Sequence, residues 1–242
     1  AAAAQTLAAA AAEVDEVIVT GTRQTGLKVE DSAAPVQVVD TAALTRTGQT
    51  DLRVGLANLV PSFNAQAFGG DTANLTLSAR LRGLSPNHAL VLINGKRRHT
   101  TANFAVLSGA YQGAAATDLS FIPMASIGRI EVLTDGAAAQ YGTDAIAGVI
   151  NVILKKNSEG GSISATGGEY MDEGGKTAAI SLNIGTAPTE NSYLNLTAET
   201  KYHGFSNRGL ADQRSVNPAS PSYSAAHFAY ESTLPGFPNF NL

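Results

Sequence analysis

The chain has 242 residues, enough for one large or two ordinary domains, of which 44% are hydrophobic and only 15% charged. Its formal net charge of −4 lacks the basic excess by which nucleic-acid binding usually shows, and with no Cys neither a disulfide framework nor a thiolate metal site is available. No apolar run reaches the roughly 18 residues that a membrane helix needs, although membrane strands, whose residues alternate, escape that test.

The opening AAAAQTLAAAAA, residues 1–12, is low in complexity and reads as an Ala-rich leader or the remnant of a secretory signal, whose cleavage favours small residues. EVDEVIVTGTR follows. Its short VIVT run is strongly β-prone and ends at Gly21, and the acidic residues ahead of it discourage edge-to-edge aggregation. It is either the first edge strand of the domain or an extended peptide able to add itself to another protein's sheet.

Residues 32–61 read as a compact mixed unit. PVQVV is a strand, and Asp40 is placed to cap a short helix through Ala43 and Leu44. A second helix starts at Thr50 or Asp51; Leu52, Leu56 and Leu59 recur on it at i, i+4 and i+7 and mark one buried face, and Pro61 ends it. Residues 62–74 form an irregular loop carrying Phe63 and Phe68. LTLSARLRGL then alternates, which predicts a half-buried strand with Leu75, Leu77 and Ala79 inward. In ALVLINGKRR, Asn94-Gly95 between an apolar and a basic strand is a strong signal for a type I′ hairpin. Lys96, Arg97, Arg98 and His99 beyond it are either a solvated turn or an electrostatic lure for an anion.

Residues 100–117 form a second loop, whose large side chains are Phe104, Tyr111 and Gln112. Pro123 suits the first position of a short helix from Met124 to Ile127. RIEVLT and AGVINVIL are rich in β-branched and aliphatic residues and read as strands flanking an Ala-rich helical turn. After Asn157 the texture changes: GSISATGG, KTAAISLNIG and SYLNLTAETKY are segments of dyad alternation separated by turns. Ala178, Ile180, Leu182 and Ile184 fall on one face of the second, and Leu194, Leu196, Ala198 and Tyr202 on one face of the third. Charges occupy only the opposite face, at Glu199 and Lys201. A soluble sandwich would alternate in the same way. Residues 204–242 read as a long loop.

Enzyme signals are poor. Gly175-Lys176-Thr177 has the tail of a phosphate-binding loop, but Tyr170 stands where its first Gly must be. Neither G-x-S-x-G nor H-E-x-x-H occurs, and the four His are too dispersed for a local metal motif. No enzyme, cofactor or metal is expected.

RIEVLTDGAAAQYGTDAIAGVINVILKK resembles the closing segment of the plug domain of TonB-dependent outer-membrane receptors. In the order that family uses, DEVIVTG is similar to its TonB box, LRGL to its RG step and VLING to its central plug strand. The resemblance implies an α+β plug, a small mixed sheet with short helices, followed by the first antiparallel strands of a transmembrane β-barrel. It divides the chain into a leader at 1–12, the TonB box at 13–24, the plug at 25–157, and about three barrel strands with part of an outer loop at 158–242. Plugged barrels have about 22 strands, and an open sheet edge is not tolerated in lipid. The barrel is therefore incomplete here, and the chain is a fragment or the remaining strands come from elsewhere.

The resemblance also implies the sites. Asp15, Glu16, Val17, Ile18, Val19, Thr20 and Gly21 would bind TonB. Phe63, Phe68, Arg97, Arg98, Phe104, Tyr111 and Gln112 would hold a solute in apical loops. Arg82 would lock the plug to glutamates of the barrel wall; the second arginine of that lock is Thr134 here, with Arg129 nearby to substitute in part. The implied partners are TonB, the rest of the barrel, a small-molecule nutrient and outer-membrane lipid, with no nucleic acid. The implied activity is uptake of a siderophore-like or other large solute across the bacterial outer membrane; the alternative is a secreted or surface β-sandwich for adhesion or binding.

Overall fold

The computed structural model describes residues 17–18, 27–28, 35–49, 51–64, 76, 78–106, 111–171, 175–190, 192–204 and 219. The chain divides into two compact units, residues 1–165 with 179–201 and residues 166–178 with 202–242.

In the first unit, the β-branched stretches pair into a five-stranded mixed sheet. β3 (Val36–Asp40) runs antiparallel to β8 (Ile127–Leu133), β8 antiparallel to β9 (Gly148–Leu154), and β9 parallel to β6 (Ala89–Ile93). The short β7 (Lys96–Arg97) closes the order β3-β8-β9-β6-β7. Both faces of this sheet are covered, which is why β9 reads as a nearly unbroken apolar run. Ile130, Val132, Ile150 and Val152 pack on one face with Leu44 of α1 (Thr41–Arg46) and with Leu52 and Leu56 of α2 (Leu52–Leu59). Leu90, Leu92, Leu133 and Val149 pack on the other with Ala137 and Ala145, beside α3 (Ala138–Tyr141). Full burial of a side chain such as Leu56 stabilises by about 1.5–3 kcal/mol.

Local signals hold at the helix starts. The Asp40 carboxylate accepts from the Ala43 N–H at 2.5 Å and the Asp51 carboxylate from the Arg53 N–H at 2.8 Å, each satisfying a backbone donor of the first turn. At the β6–β7 hairpin, Asn94 and Gly95 have φ of 50° and 78°, as a type I′ turn requires. The turn is tied to β9: Asn94 Oδ1 accepts from the Leu154 N–H at 2.9 Å, and Gly95 N–H donates to Asn151 Oδ1 at 3.0 Å.

Two expectations are corrected. Among the described residues of LTLSARLRGL, which leave out Leu75 and Leu77, the predicted strand is β5 (Arg80–Leu81), which pairs with β4 (Phe63–Asn64). Thr76, Ser78 and Arg80, assigned outward by the alternation, are buried, because folded loop rather than solvent covers them. The predicted helix from Met124 to Ile127 is a single 3-10 turn over Met124–Ser126 with Pro123 as its N-cap, since Ile127 already belongs to β8.

The three alternating segments form β10 (Gly161–Gly168), β11 (Thr177–Thr186) and β12 (Leu194–His203), in the order β10-β11-β12. Ile180, Leu182, Ile184, Leu194 and Leu196 are exposed, whereas Asn183 on the opposite face of β11 is buried. That opposite face is hydrogen-bonded across strands: Ser164 to Ser181 at 2.7 Å, and Asn183 Nδ2 to Asn195 Oδ1 at 2.6 Å and to Thr197 Oγ1 at 2.7 Å. Lys201 and Glu199 form an ion pair on it at 2.8 Å. In the second unit, the Lys176 carbonyl accepts from the Gly204 N–H at 2.6 Å, and Thr177, at the foot of the supposed phosphate loop, begins a strand rather than a helix. Among the described residues no helix is long and apolar enough to cross a membrane.

Gly148 sets how closely β9 enters the sheet. Its φ is 138°, and a Cβ there would press into the Leu133 carbonyl and lie 2.9 Å from Leu81 Cδ1. Gly148→Ala is therefore expected to destabilise the chain by about 2–4 kcal/mol through strain and overpacking, as read by urea unfolding. A cost below about 1 kcal/mol would show that the backbone gives way freely.

Candidate functional site: the loop end of the sheet

The loops gather at the end of the sheet where β6 and β9 begin. Ala147 N–H donates to the His88 carbonyl at 2.9 Å, and the Arg82 guanidinium to the Ile146 carbonyl at 2.9 Å. Ala115 N–H donates to Asn87 Oδ1 at 3.0 Å, and the Tyr111 hydroxyl to the Gly83 carbonyl at 2.9 Å. Arg80 sits 4.8 Å over the Tyr111 ring and donates to Asn64 Oδ1 at 2.8 Å, so this buried cation is held by an aromatic face and a neutral amide.

The expected solute-binding residues divide among different settings. Tyr111 is anchored by its hydroxyl, Gln112 donates to the Val106 carbonyl at 3.1 Å, and Phe104 of the same loop is half exposed. Phe63 is corrected: at 5% exposure it belongs to the core beneath α2, because pairing of β4 with Leu81 of β5 turns its ring inward. Phe68 lies outside the described residues. Arg97 forms an ion pair with Asp144 at 2.5 Å and also bonds the Tyr141 carbonyl, so its charge serves the C-terminal end of α3. Arg98 lines a cavity of about 400 Å³ with Asn87, Thr100 and Thr117, and among the described residues it forms no ion pair.

Arg82 adopts a left-handed φ of 54° and is exposed, its guanidinium bonded to the Ile146 carbonyl. Arg129 behaves differently. Its Nε and Nη2 meet Glu131 Oε1 at 3.0 and 2.9 Å, and the Glu131 side chain is wholly buried. Positions 129 and 131 share a face of β8, so the guanidinium finds a carboxylate two residues along its own strand. Thr134, where an arginine was expected, donates from backbone and side chain to the Pro35 carbonyl, at 3.2 and 3.3 Å, and prolongs the β3–β8 pairing.

The family model described as the TonB-dependent Receptor Plug Domain matches residues 28–149, half of the chain. The chain belongs to that family. Among solved structures it is similar to a variant of the ferric enterobactin receptor PfeA from Pseudomonas aeruginosa, at 22% identity and a TM-score of 0.57, covering 72% of this chain and 25% of that one. The siderophore receptor PirA from Acinetobacter baumannii is similar at 22% identity and 0.53, covering 78% and 26%. The ferric-catecholate import receptor Fiu from E. coli K12 is similar at 19% and 0.51, covering 73% and 22%. At these identities the likeness is one of fold, and the chain spans about a quarter of the length of the receptors it matches.

The five-stranded unit is thus the plug, and its exit is fastened to the three-stranded sheet. Asn157 Oδ1 accepts from Asn195 of β12, and the Gly185 N–H of β11 donates to the Gly160 carbonyl at 2.9 Å. A Cβ on Gly185 would strike the backbone of Asn157, so the glycine is what allows the exit to lie on the strand. Just before it, burial pushes the Lys155 ammonium below its ordinary pKa. Neither Asn157 nor the Asn183–Asn195 pair was legible as a junction, since an isolated Asn signals only polarity. At the other end, Val17–Ile18 forms β1, antiparallel to β2 (Leu27–Lys28) with Ile18 opposite Leu27. The remaining expected TonB-binding residues, Asp15, Glu16, Val19, Thr20 and Gly21, lie outside the described residues.

Removing Arg129 leaves a buried carboxylate without its cation. Arg129→Ala is expected to cost about 3 kcal/mol in chemical denaturation, and Arg129→Ala combined with Glu131→Gln to recover at least half of that. Equal costs for the single and double variants would show that the ion pair is not the source of the loss.

Proposed function

We propose that this chain is the gating part of a receptor that carries a scarce, siderophore-like solute across the bacterial outer membrane, driven by TonB. The observation that carries the reading is the continuity of a plug sheet, through Asn157, with strands whose apolar side chains are exposed on one face and whose polar side chains are bonded on the other. Bilayer outside and a plugged lumen inside ask for that arrangement. The alternative of a secreted sandwich asks instead for a second sheet packed over Ile180, Leu182 and Ile184, and family membership supports the barrel.

In this reading the solute rests on the loops at the β6 and β9 ends of the plug, with Phe104, Tyr111 and Gln112 presented by one of them. That the fold relatives are receptors named for siderophores, ferric enterobactin or ferric catecholate supports a solute of that kind. Asp15 to Gly21 is the TonB segment. β1 already pairs by its main chain with β2, and an incoming TonB strand would make bonds of the same kind, with affinity from the backbone and register from alternate side chains. Energy arrives as a pull on this end while the exit stays fastened at Asn157. No bond is made or broken in the solute, so positions and contacts, rather than acids and bases, carry the activity. The exposure of Arg82 supports its meeting a carboxylate of the wall, with the remaining barrel strands and outer-membrane lipid completing the assembly.

Ile18→Pro removes a backbone donor from the TonB segment. In the complete receptor it is expected to abolish energy-dependent uptake while surface binding of the solute is retained; unchanged uptake would exclude the segment. For the wall, spin labels at Ile180 and Ser181 in the same receptor are expected to report lipid and water respectively, and the reverse contrast, or none, would exclude the barrel orientation.

A further inference from the structure

Charge within the plug is mostly answered from within. Arg97 is paired with Asp144, Arg129 with Glu131, and Arg80 lies over Tyr111. Arg98 is the exception at the loop end. Its backbone is fixed, since its N–H donates to the Val91 carbonyl at 3.0 Å and continues the β6–β7 ladder. Its side chain forms no hydrogen bond or ion pair with any described residue, and its Nε is fully buried without an acceptor. A buried N–H of this kind is rare in folded proteins, and it marks a guanidinium that the described residues leave unanswered, with its terminal nitrogens free to meet an acceptor.

The surroundings point to what that acceptor is. Arg98 opens on the cavity of about 400 Å³, which Pro86, Ala89, Val91 and Ala115 line with apolar surface and Thr100 and Thr117 with hydroxyls. Asp144 is at the same cavity, but its carboxylate is held by Arg97, so the two cations and one anion there leave a net positive charge on Arg98. Asn87 does not neutralise it, because its carbonyl oxygen is taken by the Ala115 N–H. A guanidinium is a rigid fork of donors that matches a carboxylate by two parallel hydrogen bonds, and apolar walls strengthen such a contact by excluding water.

We propose that the Arg98 cavity is a carboxylate-binding site, the two terminal nitrogens of Arg98 donating to the two oxygens, with the Thr100 and Thr117 hydroxyls at its margin. The carboxylate comes either from a solute on the loops or from an acidic side chain of the barrel wall beside the β7 edge. The site stands on Arg98 and the cavity, so it does not require the transport reading, and its test involves neither TonB nor uptake.

The test is calorimetric titration of the full chain with citrate and with acetate. Saturable binding is expected, weakened at least tenfold in Arg98→Gln and unchanged in Arg46→Gln, which removes the same charge from an exposed site on α1. Arg98→Lys, which keeps the charge and the stem but not the fork, is expected to lose affinity by an intermediate factor, and it guards against a glutamine variant that fails to fold. Absence of saturable binding, or equal weakening in Arg98→Gln and Arg46→Gln, overturns the proposal. Repeating the titration on the complete receptor separates the sources: retained binding assigns the site to a solute, and binding seen in the chain but not in the receptor assigns it to a wall carboxylate.

Discussion

The antiparallel pairing of β8 with β9 is the constraint on which the rest depends. These two strands are the centre of the plug sheet, and each has its other edge occupied, β8 by β3 and β9 by β6. With both faces covered as well, neither strand has a solvent side on which to place a polar residue cheaply. The polar groups that do lie there must be bonded: Glu131 to Arg129, and Asn151, opposite Glu131 in the register, to the Gly95 N–H of the hairpin. The pairing also decides how near the strands come, because Gly148 leaves no room for a Cβ between Leu133 and Leu81. The loops at one end and the hairpin at the other are therefore hung from a rigid frame.

That frame explains how charge is distributed. Removing a cation from beside a buried carboxylate is costly, and Arg129 is answered by Glu131 on the same strand, while the exposed Arg97 is answered by Asp144 beside α3. Toward the loop end, Arg82 faces outward at a left-handed turn and Arg98 lines the cavity.

The three-stranded sheet obeys the opposite rule. Its apolar side chains are exposed while its amides and hydroxyls bond to one another, an inversion of the usual soluble arrangement that makes physical sense where hydrocarbon replaces water outside. Asn157 belongs to the polar side of this inversion. It ties the end of the plug to β12 on the bonded face, so the handover from the plug to the three-stranded sheet is made by amide hydrogen bonds rather than by apolar packing.

Much of this was open to reading in the residues alone. Periodicity placed the leucine face of α2 and all three wall strands, Asp40 and Asp51 marked the helix starts, and Asn94-Gly95 marked the hairpin, because each of these depends on neighbours within one turn or one strand. Alternation failed at Thr76, Ser78 and Arg80, and an aromatic in a loop was misplaced at Phe63. In both cases what covers the side chain is a distant segment that no local pattern announces. Whether Arg97, Arg98 and Arg129 are paired was likewise undetermined by the sequence: it depends on which carboxylate the fold brings within about 4 Å, and that distance exists only after the strands have been ordered.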